Sequence, residues 1–131
     1  MAMNVREVMR TKVATCSANI TVLGACKILK KQKTSTVVII DKNKHVLGVF
    51  SERDLVDRVV VKGLPTTTKI SQVMTSPVIC GDITQTDVQI AHLIIAKKIK
   101  KVPILQKQRL VGIVAESDLL KHLARSVFSY E

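Results

Sequence analysis

The sequence predicts an α+β fold made of two copies of one strand-helix-strand-strand-helix unit, and three observations carry that reading. VLGVFSERDL at 46–55 and LVGIVAESDL at 110–119 share an apolar strand, a glycine and an acidic corner containing Asp54 or Asp118. Sliding the chain by 65 residues sets Val8-Met9 on Val73-Met74, Val13 on Val78, Thr21 on Thr86 and the apolar run 37–40 on 102–105. With one residue dropped in the next turn, Gly48, Glu52, Asp54 and Leu55 fall on Gly112, Glu116, Asp118 and Leu119. A nearly constant offset over several segments marks an internal duplication. The third observation is size: 131 residues is about one domain, and half of it alone is near the length at which a core becomes marginal. The copies, 1–65 with a short linker and 66–131, are therefore expected to pack side by side as one compact module with pseudo-twofold symmetry.

In the first copy, VATC at 13–16 reads as a short strand. Thr21 is a plausible N-cap for a helix that puts Val22, Ala25, Cys26 and Leu29 on one face. The basic run KKQK at 30–33 suits the negative end of the helix dipole. TVVII and HVLGVF follow as strands, joined by the turn formers of DKNK. Ser51 then caps a helix through Leu55, Val56, Val59 and Val60 that stops near Gly63 and Pro65. The second copy repeats the order with PVIC, a helix opened at Thr86-Asp87, the strands KVPIL and RLVGIV, and a last helix from about Glu116 to Ala124. KGLPTTTK at 62–69 is a linker too short to separate two domains widely.

Composition narrows the function. The chain is 47% hydrophobic but only 2% aromatic, so its core is aliphatic. Its apolar runs, such as 37–40 and 93–96, fall far short of the roughly 20 residues of a membrane helix, and the N-terminus lacks a signal-peptide core. A cytoplasmic protein without membrane contact is expected. Cys16, Cys26 and Cys80 are odd in number and lack C-x-x-C spacing, and His45, His92 and His122 have no patterned partner. Neither a disulfide framework, a metal site nor a nucleophilic enzyme is expected. The formal charge of +11 raises the alternative of nonspecific nucleic-acid binding. Against it, the basic residues are spread over both halves, 12 Lys/Arg in 1–65 and 9 in 66–131, and only Phe50, Phe128 and Tyr130 are available for base stacking.

The repeated corner has chemistry of its own. A strand ending at Phe50 hands over to a helix near Ser51, where first-turn N–H groups face outward and suit a phosphate. Asp54, one turn in, is placed to accept hydrogen bonds from two vicinal hydroxyls, as a ribose presents. The plainer reading of Ser51-x-x-Asp54 is a capping box serving only the helix.

The segments VREVM and ISQVM, the helices after Thr21 and Thr86, the strand pairs and the corners GVFSERDL and GIVAESDL resemble a tandem pair of CBS domains, the Bateman module, from about Val5 to Leu123. The resemblance implies a regulatory or sensor module, not an enzyme, that needs no cofactor and takes an adenosyl ligand: AMP, ADP, ATP or S-adenosylmethionine. It implies that Asp54 and Asp118 hold ribose hydroxyls, with the hydroxyl residue of the corner near the phosphate. It further implies that residues before the middle strand reach phosphates: Ser35 and Thr36 in one copy, Lys100 and Lys101 in the other. Lys12 with Val13, and Pro77 with Val78, would wall a flat base. Asp118 would work with the N-terminal strand region, Asp54 with Met74–Val78. A homodimer is expected, through the helices bearing Val56, Val59 and Val60 or Leu119, Leu120 and Leu123, and a regulated protein partner would fit the same reading. An interaction subunit with empty sites is the further alternative.

The copies differ. Ser51 aligns with Ala115, and Arg53 with Ser117. The second corner therefore combines Ser117 and Asp118 with Lys100 and Lys101, compact phosphate-binding charges. It is expected to take a phosphorylated ligand, with Asp54, Ser51 and Arg53 forming a weaker or different site.

Overall fold

A computed structural model describes residues 2–128. Tyr130 and the side chain of Phe128, named above among the aromatic residues, lie outside the described residues. The chain forms β1 (Thr15–Cys16), α1 (Val22–Gln32), β2 (Thr36–Ile40), β3 (Val46–Ser51), α2 (Glu52–Asp54), β4 (Gly81–Asp82), α3 (Asp87–Lys97), β5 (Lys101–Gln106), β6 (Arg109–Ala115) and α4 (Glu116–Phe128). This is the predicted α+β order, given twice.

Compact units do not follow the repeats. Val13–Val78 forms one unit, and the residues up to Lys12 join those from Ile79 onward in the other. The leading segment of each repeat, read above as part of 1–65 or 66–131, is thus exchanged.

In the unit Val13–Val78, β1 pairs parallel to β2, and β2 antiparallel to β3, with Thr36 opposite Ser51 and Val37 opposite Phe50. Beyond β3, Thr75 N–H donates to Val49 O at 2.8 Å and Val49 N–H to Thr75 O at 3.0 Å. Thr21 caps α1 by accepting from Gly24 N–H at 3.1 Å. The helix lays Val22, Ala25 and Leu29 on Val37, Ile39, Phe50, Val59, Ile70 and Val73, with Cys26 half-buried at the edge of this aliphatic core.

The other unit is built alike. Parallel β4-β5 and antiparallel β5-β6 pairs place Lys101 opposite Ala115, and Arg10 makes reciprocal 2.9 Å backbone bonds with Ile113. Thr86 and Gln89 form a full capping box at the start of α3. Val5, Ile83, Ile90, Ile94, Val102, Ile104 and Val114 make the core.

Three expectations change. The strand assigned to 77–80 lies instead at Gly81–Asp82: Pro77 has no N–H to give a ladder, and Gly81 packs where a Cβ would stand 2.5 Å from Ile90 Cδ1. The helix after Ser51 makes one α turn and then widens into a π-helical stretch, Leu55–Val60, with Val61 N–H bonded to Val56 O. Val59 does not share an apolar outer face with Val56 and Val60, because this winding turns it into the core while the other two stay exposed. On α4, likewise, Leu119 packs against the core, whereas Leu120 and Leu123 are exposed.

The repeated glycine of each corner strand has a packing cause. A Cβ on Gly48 would stand 2.4 Å from Met74 Sδ, and one on Gly112 2.6 Å from Met9 Sδ and 2.9 Å from the Arg10 carbonyl oxygen. The paired Val-Met of each leading segment therefore lies over the glycine of β3 or β6. Gly112→Ala is expected to cost about 1–3 kcal/mol in urea denaturation. Met9→Ala should relieve only part of it, because the Arg10 carbonyl belongs to the backbone; equal stability of Gly112→Ala and wild type would contradict this packing.

Candidate functional site

The two corners share a backbone and differ in charge. At the first, Glu52 N–H donates to Ser35 O at 2.9 Å, tying the start of α2 to the residue before β2. Ser51 Oγ accepts from Asp54 N–H at 3.2 Å, while Asp54 Oδ2 accepts from Ser51 N–H at 2.9 Å. Asp54 Oδ1 meets Thr75 Oγ1 at 3.4 Å and Arg58 Nε at 3.6 Å. The capping box is therefore formed, and it corrects the expectation of outward-facing N–H groups here. Those of Ser51, Glu52 and Asp54 are already taken by the cap and by the Ser35 carbonyl.

The second corner repeats the tie: Glu116 N–H donates to Lys100 O at 2.8 Å, and Ala115 N–H to Asp118 Oδ2 at 3.0 Å. Ala115 has no hydroxyl to complete a capping box. The other oxygen of Asp118 instead takes Arg10, with Nε and Nη2 both 2.9 Å from Oδ1. Asp118 is the buried charged residue among those described, its side chain only 8% exposed against 59% for Arg10. A carboxylate so far from water requires partners of this kind, and the Ala115 N–H, the Arg10 Nε–H and the adjacent guanidinium charge supply them.

The remaining sequence candidates differ in exposure and pairing. Thr36 sits opposite Ser51, as the half-buried Lys101 sits opposite Ala115, and Lys100 and Ser117 are exposed beside the second corner. Lys12 is exposed two residues beyond Arg10. Val13 and Val78 are half-buried, and Pro77 is exposed after a cis Ser76-Pro77 bond. Arg53 points away, 3.6 Å from Asp57 on the exposed side of its helix, outside the hydrogen-bond set of Asp54. Sequence reasoning missed Arg10 and Arg58 as partners of the aspartates, and it set Asp54 with the segment Met74–Val78 without singling out Thr75. The 65-residue offset held one signal, since it places Arg10 on Thr75 directly after the duplicated Val-Met.

Among the described residues no group of three His, Cys, Asp or Glu side chains is placed to hold a metal ion. The cysteines are half-buried thiols, and burial pushes Cys16 up to about 11.

The match to known proteins agrees with this geometry. The CBS domain family model fits residues 5–61 and again 70–125. The chain belongs to the CBS-domain family. CBS domain-containing protein YhcV of Bacillus subtilis is 28% identical over 116 residues, 88% of this chain and 82% of its own. The crystal structure of an uncharacterized conserved protein from Pyrococcus horikoshii superposes with a TM-score of 0.86 at 24% identity, covering 93% of this chain and 92% of that one. The CBS domain pair of protein MJ0100, crystallised in complex with 5′-methylthioadenosine and S-adenosyl-L-methionine, gives 0.87 at 22% identity over 96% and 99%. These two structures share the CBS-pair fold.

Two outcomes follow from the site geometry. Arg10→Ala leaves the buried Asp118 carboxylate without its cation and is expected to cost about 1–3 kcal/mol, against less than about 1 kcal/mol for Thr75→Ala, which removes one long neutral hydrogen bond. Urea denaturation measures both, and a larger loss for Thr75→Ala would contradict the pairing described. With its pKa near 11, Cys16 carries about a hundredfold less thiolate at pH 8 than an ordinary cysteine. Its alkylation by iodoacetamide in folded protein should be correspondingly slow and should accelerate as the pH rises; a rate at pH 8 equal to that of the unfolded chain would contradict it.

Proposed function

We propose that the protein is a regulatory module that binds an adenosyl ligand and catalyses no reaction. One observation carries this reading furthest: at the second corner a buried carboxylate, Asp118, is paired with Arg10, while the backbone of Lys100 is bonded to Glu116 and Lys101 lies opposite Ala115 in the neighbouring strand. A carboxylate accepts from both hydroxyls of a ribose, and guanidinium and ammonium groups suit the phosphates attached to it. The adenosyl compounds bound by the CBS pair of MJ0100 support the ligand class, and the net charge of +11 favours anionic members of it.

In this reading Asp118 takes the ribose, Lys100, Lys101 and Lys12 attend the phosphates, and Ser117 lies at the open end of α4. AMP, ADP or ATP is the expected occupant. Asp54, with Ser51, Thr36 and Thr75, forms a corner poorer in cations, suited to a ligand with less negative charge, such as S-adenosylmethionine. Half-buried Val13 and Val78, with Pro77, offer apolar edges to a base. Regulation follows from linkage: a ligand shifts the equilibrium between two states by its difference in affinity for them. Self-association as a homodimer is part of the proposal, with Val56 and Val60, or Leu120 and Leu123, as exposed apolar faces. The cytoplasm, where such nucleotides are abundant, is its proposed setting; among the described residues no helix is long and apolar enough to cross a membrane.

Thermal melting with a panel of AMP, ADP, ATP, adenosine and S-adenosylmethionine tests the reading. A ligand at about a hundredfold its Kd stabilises the folded state by about 2.7 kcal/mol, a shift of several degrees. The shift with phosphorylated ligands should disappear in Asp118→Asn. No shift with any ligand would overturn the proposal in favour of an interaction subunit, and salt-sensitive retention of RNA or DNA indifferent to Asp118 would favour nucleic-acid binding.

A further inference from the structure

Asp118 is already engaged. Oδ2 accepts from Ala115 N–H and Oδ1 from Arg10 Nε–H, while Arg10 Nη2 stands a further 2.9 Å from Oδ1 as an ion pair, so the guanidinium covers that oxygen. A ribose diol that spans both carboxylate oxygens needs Oδ1, so Arg10 must yield that oxygen before the sugar can be seated. We infer that Arg10 is a charge-selective latch on the Asp118 corner, yielding to an adenosyl ligand that brings its own phosphate and resisting one that does not. The inference rests on the reading of Asp118 as the ribose acceptor.

The chemistry of the exchange decides which ligands succeed. A guanidinium presents the same planar fork to a carboxylate and to a phosphate, so a phosphorylated ligand replaces one anion by another while its sugar takes the vacated oxygen. Adenosine takes part of the carboxylate from Arg10 and gives nothing in return. S-adenosylmethionine brings a sulfonium cation to a corner that already holds the Arg10 guanidinium, and fares worse.

Geometry permits the motion. The backbone of Arg10 is fixed by its reciprocal bonds to Ile113, while its side chain is 59% exposed and has solvent to swing into. Nothing in the core has to move.

The first corner supplies the internal contrast. Thr75 occupies the place of Arg10, with the same backbone bridge to its strand, and brings to Asp54 a neutral hydroxyl at 3.4 Å. The cation near Asp54 is Arg58, from its own helix at 3.6 Å, a looser pairing than the two 2.9 Å approaches at Asp118. Charge selection is thus written at one position of the duplicated framework, arginine at 10 and threonine at 75.

Calorimetric titration in an Asp54→Asn background, which removes the acceptor carboxylate of the other corner, tests the latch with ADP, adenosine and S-adenosylmethionine. With Arg10 present, ADP should bind at least about tenfold more tightly than adenosine. Arg10→Thr, which copies the first corner, should weaken ADP by about tenfold and tighten adenosine several-fold, while Arg10→Lys keeps the preference for ADP. Shifts of opposite sign for two ligands are not produced by a general loosening of the fold. Changes of the same sign, or an unchanged ratio of ADP to adenosine, would overturn the latch and leave the adenosyl reading intact. Absence of binding by all three ligands, in wild type and in every variant, would overturn both. Should Arg10→Thr fail to melt cooperatively, Arg10→Gln, which carries the same two expected shifts, replaces it.

Discussion

The site depends on a short antiparallel bridge at the edge of each sheet. Arg10 exchanges backbone hydrogen bonds with Ile113, and Thr75 with Val49. Each bridge requires the preceding methionine to lie across a strand with no side chain at the point of contact, which is why Gly112 and Gly48 stand where they do. With the bridge closed, the side chain of residue 10 or 75 falls on the carboxylate of the corner beside it. What that one position carries decides whether the carboxylate meets a guanidinium or a hydroxyl from the edge segment.

Duplication then sets electrostatics free to diverge while the backbone is held. Glu52 and Glu116 both donate their N–H to the residue before the middle strand, so the corner geometry is maintained in both copies. Ser51 against Ala115, Ser35 and Thr36 against Lys100 and Lys101, and Thr75 against Arg10 change only what lines it. The first corner satisfies its helix through a complete capping box. At the second the hydroxyl is missing, but the carboxylate divides its oxygens in the same way, Oδ2 to the N-cap N–H and Oδ1 to the edge segment, where it meets an arginine.

Much of this was legible in the sequence because it is local or periodic. The offset of 65 located both units, the apolar spacing of Val22, Ala25 and Leu29 found the buried face of α1, and Thr21 and Thr86 marked helix starts that the structure caps as expected. What escaped is non-local. Arg10 and Asp118 are 108 residues apart, and no periodicity links an N-terminal arginine to a C-terminal helix. The exchange of leading segments is equally invisible to periodicity and entered only through the family resemblance, which set Asp118 with the N-terminal strand region and Asp54 with Met74–Val78. The π-helical winding that buries Val59 was hidden for another reason: apolar spacing there suits several helical pitches, and packing selects among them. The loss of free N–H groups at Ser51 was visible as a capping box, yet only the observed hydrogen bonds could show that the carboxylate had taken that role.

A crystal structure of the protein with ADP tests the central claim most directly, since it reports the partner of each Asp118 oxygen. The account predicts ribose hydroxyls on the Asp118 carboxylate, the guanidinium of Arg10 turned from Oδ1 to a phosphate, and the Arg10–Ile113 bridge unchanged. ADP bound elsewhere, with Arg10 still paired to Asp118, would contradict it.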